Sequence, residues 1–221
     1  MVEIVLKDSP SKGERKYLQA RFINLCQKLG LALPKAKIYY EELSQLYNDP
    51  NRYYHNLVHL FNFLKLLDQH VEEIDQVALF EMAIWYHDAI YDAKKKDNEL
   101  QSALLVQQLF REYLKDDELA YINKLIMSTA GHYPKSEEQD VYFFLDFDLA
   151  ILATDHKNYQ FYSEAIWKEY KKFYPKLLYK MGRKKVLKGF LRREKIYFSQ
   201  LFFEKYEKKA RQNIQLELNG K

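Results

Sequence analysis

Cysteine is almost missing from this sequence: Cys26 stands alone among 221 residues, so neither an internal disulfide nor a cysteine-built zinc site is available. Glycine and proline are scarce too, at six and five. That scarcity excludes collagen-like, linker-rich and tight-turn architectures, and it leaves a largely helical chain as the first expectation. No apolar run approaches the roughly 20 residues of a membrane span, and the opening MVEIVLKDSPSKGERKY is interrupted by Glu3 too early for a signal peptide. A cytoplasmic protein with no membrane partner is expected. There is no low-complexity tract and no repeat at a period of roughly 20–50 residues, so one domain over residues 1–221 is more economical than two.

What the chain has instead is apolar and aromatic side chains at helical spacing. Hydrophobic residues make up 48% and charged residues 30%, enough apolar surface for a buried core and too much for a disordered chain. Tyr17, Leu18, Phe22, Leu25 and Leu29 form one stripe; Ile38, Leu43, Leu46 and Tyr47 form another before Pro50 stops it; Leu57, Leu60, Phe61, Leu64 and Leu67 form a third. Further helices are predicted over 75–90, 97–114, 117–130 and 139–154, then an aromatic-rich one, one after Pro175, one around 184–193 and one ending near Leu218. The 19 Tyr and 14 Phe raise strand propensity, but no clean alternation accompanies them, so the predicted class is all-α and the aromatics are assigned to packing between helices.

The net charge of +4 hides a division: residues 168–221 carry 17 Lys/Arg against 5 Asp/Glu, leaving 18 against 26 for the rest. A basic C-terminal face, over about 156–221, suits a phosphate-bearing substrate, nucleic acid, or simply solvent. No zinc-finger spacing, GXXG loop or RNP-like strand accompanies it, so nucleic acid is the less favoured partner.

Three polar intrusions break the apolar pattern between about 50 and 155. His55 and His59 stand four apart, one turn if the segment is helical. His87 and Asp88 interrupt AIWYHDAIYD at 83–92, and Asp146 and Asp148 interrupt FLDFDLAIL at 144–152. A buried carboxylate or imidazole needs a partner, and imidazole nitrogens together with carboxylate oxygens form a mixed donor set for a divalent cation. Asp146 and Asp148 are two apart and do not share a helix face, so Asp146 has a separate capping or orienting role open to it. Arg52 and Arg183 are candidates for phosphate because a guanidinium offers paired, rigid donors; Lys184 and Lys185 are expected to be surface charge.

These residues resemble the signature of the HD superfamily of metal-dependent phosphohydrolases, a lone His, a His-Asp pair and a distant Asp. The resemblance is closest to a bacterial family of predicted phosphohydrolases, through RYYHNLVHL at 52–60, AIWYHDAIYD at 83–92, DNELQSA at 97–103, STAGH at 128–132 and FLDFDLAIL at 144–152, and continuing through EYKKFY at 169–174, GR at 182–183 and ARQNIQLEL at 210–218. It implies a compact helical HD-type fold and a divalent ion (Mn, Mg, Fe, Co, Ni or Zn) held by His59, His87, Asp88 and Asp148. YHNLVH also resembles the YHN-x-x-H segment of cyclic-nucleotide phosphodiesterases, which implies that His55 protonates the leaving group. Asp92 stands where another HD branch has an acid that acts on water and Glu99 resembles the DNE element of the closer family, so either is implied to position water, with Glu99 preferred; Arg52, Arg183 and His132 are the candidates for contacting substrate, His132 having a second metal or a loop as other uses. The implied activity is hydrolysis of a phosphoester or phosphoanhydride of a nucleotide or other small phosphorylated metabolite. An HD-fold di-iron oxygenase and a noncatalytic RNA- or partner-binding module are the alternatives.

Overall fold

The computed structural model describes Ile4 and residues 6–220; Glu3, which breaks the apolar opening, lies outside them. Among the described residues there are ten α-helices and no strand: α1 (Lys12–Lys28), α2 (Leu33–Tyr47), α3 (Leu57–Gln69), α4 (Val77–Tyr86), α5 (Asn98–Phe110), α6 (Asp116–Ser128), α7 (Gln139–Asp148), α8 (His156–Tyr170), α9 (Lys176–Arg192) and α10 (Gln200–Leu218). Short 3-10 turns at Val71–Glu73 and Leu149–Ala153 complete the order. The all-α expectation holds. No described helix is long and apolar enough to cross a membrane.

Local chemistry sets most helix starts. Ser11 and Glu14 form a reciprocal capping box at α1, Asn56 Oδ1 accepts from Val58 N (2.8 Å) at α3, and Pro34 sits in the first turn of α2. α4 has no cap of its own: the Asp140 carboxylate, from α7, accepts from Asp75 N and Gln76 N at 3.1 and 3.4 Å and from the Tyr121 hydroxyl. That long-range cap suits a helix whose residues Leu79 to Tyr86 are all buried. Its one charged member, Glu81, is paired with Arg21 from α1 at 2.9 and 3.0 Å.

α4 is the central rod, packed against α6, α3, α1 and α5, and α3 also meets α7. Phe63, Phe80, Phe144 and Phe147 interlock where these helices cross, with Phe63 and Phe144 centroids 5.0 Å apart and Phe80 and Phe144 5.2 Å apart. Such rings bury large apolar areas and dominate core energetics. α10 lies along the 149–153 turn, where Asn213 Nδ2 donates to Leu152 O and Thr154 O at 2.9 and 2.8 Å.

Several boundaries differ from the sequence reading, among them the helix expected over 139–154, whose α-helical part ends at Asp148 before a 3-10 turn. The helix expected over 75–90 stops at Tyr86, the two helices expected after Pro175 and around 184–193 are the single α9, and α3 begins at Leu57, so His55 stands before the helix. At α4, carbonyls on either side of the stop have other partners: the Tyr47 hydroxyl donates to Trp85 O (3.2 Å), and the Arg52 guanidinium donates to Asp88 O (2.6 Å) and Ala89 O (2.8 Å). Orphan carbonyls satisfied from outside let a helix end without cost. At α9, Gly182 suggests a break by composition, yet its φ is ordinary and the helix runs through it.

Candidate metal centre

His59 occupies the first turn of α3, and the Asn56 cap fixes where that turn begins. His87 is the residue at which α4 ends; its N–H still bonds to Ala83 O (2.9 Å), while Asp88 and Ala89 turn away under the hold of Arg52. Asp148 is the last residue of α7. Three helix ends therefore meet at one point above the phenylalanine core, with the Phe63 ring 5.3 Å from His87.

The two imidazole Nε2 atoms lie 3.1 Å apart, with Asp148 Oδ1 3.3 Å from His59 Nε2 and 3.9 Å from His87 Nε2. Asp88 Oδ2 adds a fourth donor 3.1 Å from His87 Nε2 and 3.8 Å from His59 Nε2. His87 Nδ1 is 2.9 Å from Ile84 O, which only accepts, so Nδ1 donates and a neutral His87 turns a lone pair inward at Nε2. Donors about 3 Å apart are what a cation with bonds of about 2.0–2.2 Å gathers around itself. His59, His87 and Asp148, with the two imidazoles buried, thus form a potential divalent-metal site whose donor set does not select one metal. A buried His/His/Asp cluster of this kind is typical of HD-fold enzymes.

Electrostatics point the same way. Burial disfavours an imidazolium at His87, but Asp88 and Asp148 overcome it and push the group up to about 9. Burial prevails at His59, which is lowered. Burial opposes charge on Asp88 and Asp148 as well, and the surrounding histidines nonetheless hold both carboxyls far below their ordinary value. Two buried carboxylates demand positive charge, and in the free protein a proton on His87 supplies part of it.

Beside this cluster stands His55, in the loop before α3. Its Nδ1 donates to Glu169 Oε2 (2.7 Å), and Glu169 Oε1 accepts from the N–H groups of Tyr53, Tyr54 and His55 at 2.8, 2.7 and 3.1 Å. The Tyr91 hydroxyl donates to Glu169 Oε2 as well (2.9 Å), and its ring lies 4.4 Å from the His55 ring. Burial would lower His55, but Glu169, with Asp88, raises it above its ordinary value. Sequence reading missed Glu169. The available signal was its place on the apolar stripe of α8, three residues after the buried Ile166.

His55, Asp88 and Asp148 line a cavity of about 470 Å³, together with Glu99, His132 and Arg183. His132 Nε2 is 3.0 Å from Asp148 Oδ2. It sits in a left-handed turn, φ +85° at Gly131 and +49° at His132, and Arg193 clamps that turn by donating to Gly131 O (2.7 Å) and His132 O. Arg193 is a second residue that no local pattern singled out.

The other predicted site residues lie elsewhere or are already engaged. Arg52 does not face the cavity: its donors go to the carbonyls of His55, Asp88 and Ala89, and it stacks between Tyr47 and Tyr91. Asp92 is outside the lining too, its carboxylate accepting from Lys94 N (2.9 Å) in the turn that leads to α5. Arg183 reaches the cavity wall but is bound bidentately to Glu217 at 2.9 and 3.1 Å. Asp146 turns away from Asp148, accepting from Phe198 N, Ser199 N and Ser199 Oγ at 2.7, 2.8 and 2.6 Å and so capping the approach to α10. Burial lifts its carboxyl to about 7 in spite of those bonds.

No protein-family model matches the sequence, and no curated protein or solved structure matches it.

Proposed function

We propose that this chain is a divalent-metal-dependent phosphohydrolase of the HD type, acting on a phosphoester or phosphoanhydride of a nucleotide or another small phosphorylated metabolite. The observation that carries the reading is the convergence of His59, His87 and Asp148, with Asp88 beside them, next to a cavity that Asp88, Asp148 and the Glu169-paired His55 line. A bound divalent cation supplies a lowered pKa for water and polarisation of a phosphoryl oxygen. The chain's own side chains do the rest. His55, oriented at Nδ1 by Glu169, keeps Nε2 for the proton that a leaving oxygen needs, and the Glu169 carboxylate, by raising its pKa, favours holding that proton. Glu99, on the cavity wall in the first turn of α5, is the carboxylate we assign to orienting water. His132 steadies Asp148 from the far side.

The oxygenase alternative needs Asp92 and His132 as added ligands, and Asp92 is tied into its turn. A noncatalytic binding module leaves the buried cluster without a task.

Elemental analysis of protein purified without an affinity tag or added metal tests the proposal. Near-stoichiometric divalent metal in the wild type, absent from His87→Ala, is the expected result, with phosphate release as the assay that follows. Wild-type protein that takes up no manganese, iron, zinc or magnesium on resupply would overturn it.

A further inference from the structure

We infer that the cavity beside the metal centre selects a substrate with a single phosphate on an apolar or aromatic body, and turns polyphosphates away. This narrows the substrate class of the phosphohydrolase reading and rests on it.

Charge accounts for the first half. Lys95 and Arg183 are the only Lys or Arg side chains among the described residues lining the cavity. Arg183 gives Nε and Nη2 to Glu217 and Nη1 to the Tyr162 hydroxyl (3.2 Å), so its charge is already paired. A dication offsets Asp88 and Asp148, and Lys95 offsets Glu99. A phosphomonoester brings about two negative charges near neutral pH, the smaller load for a cavity with so little positive charge to spare. A triphosphate brings about two more, and polyphosphate sites meet that with arginine clusters or a glycine-rich cradle at a helix N-terminus. The lining contains one glycine, Gly182, in the middle of α9.

The outer wall accounts for the second half. Tyr162 and Ile166 of α8 line the cavity together with Leu178, Tyr179, Val186 and Phe190 of α9. Leu178 and Val186 are 55% and 53% exposed, apolar surface that an apolar ligand body would cover. A purine or pyrimidine edge presents several donors and acceptors, and leaving them unpaired in a desolvated site is costly. The wall suits a ring or chain with few polar atoms. In the reaction a water oxygen bonds to phosphorus as the bond from phosphorus to the alcohol oxygen breaks; the alcohol leaves with a proton and inorganic phosphate remains.

The test compares manganese-loaded wild type with Leu178→Glu and Val186→Glu, both at exposed positions that leave the core intact. Rates are measured on naphthyl phosphate, glycerol phosphate, ATP and inorganic pyrophosphate, and binding of naphthyl phosphonate is followed by tyrosine fluorescence. We expect kcat/KM for naphthyl phosphate at least about tenfold above the other three, with that preference collapsing in both variants. Faster turnover of ATP or pyrophosphate overturns the inference while the phosphohydrolase reading stands. If none of the four substrates is hydrolysed, that reading falls and the phosphonate still decides the inference. Binding weakened about tenfold by Leu178→Glu supports it, and binding unchanged by either variant overturns it.

Discussion

At the scale of single residues, the site depends on side chains that touch ligand-bearing ones. Glu169 collects three backbone N–H groups and one His55 nitrogen on a buried carboxylate, so Glu169→Gln should cost about 1–3 kcal/mol and let the His55 titration fall. Burial works against the Glu169 charge, yet His55 and the N–H donors hold its pKa below the ordinary 4.5. Its folded-state pKa is depressed, so its contribution to stability is complete above that ordinary value and is lost as the pH falls through the folded one. Denaturant midpoints of wild type and E169Q should accordingly converge in acid, and a constant gap down to pH about 2 would contradict the pairing. Arg52 acts one step from the metal ligands by fixing the Asp88 and Ala89 carbonyls. Arg52→Ala should weaken manganese binding about 10–100-fold with helical content retained, and calorimetric titration showing unchanged affinity would remove that positioning role. Glu169 and Arg193 escaped sequence reading for one reason. Glu169 acts on a segment more than a hundred positions upstream and Arg193 on a turn about sixty upstream, and no local spacing encodes such pairs.

At the scale of elements, periodicity located the helices because a stripe of apolar residues must bury, as Leu57, Leu60, Leu64 and Leu67 do on α3. It did not locate the end of α4, where apolar residues resume after His87 and Asp88 and run to Ile90 but the carbonyls are taken by Tyr47 and Arg52. That misplaced end matters, because it is the turn, rather than a helix face, that aims His87 and Asp88. α9 shows the opposite error: Gly182 suggested two helices, and it runs unbroken. Gly189 is exposed in the helix interior with open space where a Cβ would stand. Gly189→Ala should therefore stabilise the protein by about 0.5–1 kcal/mol, read as a higher denaturant midpoint with unchanged slope. A lower midpoint would mean that α9 needs that glycine for a reason other than helix geometry.

At the scale of the molecule, folding and the metal site are one equilibrium, since His59, His87, Asp88 and Asp148 converge only when α3, α4 and α7 are packed. A cation that binds the folded chain alone should raise its stability by about 2.7 kcal/mol at a hundred times the dissociation constant, an increment that His87→Ala abolishes. The same binding must displace the His87 proton, whose pKa stands at about 9, so apparent affinity should fall about tenfold for each pH unit below that value. Affinity flat between pH 6 and 8 would contradict it. The sequence alone determined an all-helical class, because apolar side chains recur at helical spacing with little glycine or proline to interrupt them. It also marked the polar intrusions His59, His87, Asp88 and Asp148, because charge in an apolar stripe demands a partner wherever the stripe goes. Only the tertiary structure decided that these intrusions meet, that Glu169 stands behind His55, and that Arg52 serves a turn rather than the cavity. Those outcomes depend on where helix ends fall and which distant carbonyls and N–H groups they satisfy, and packing alone fixes that.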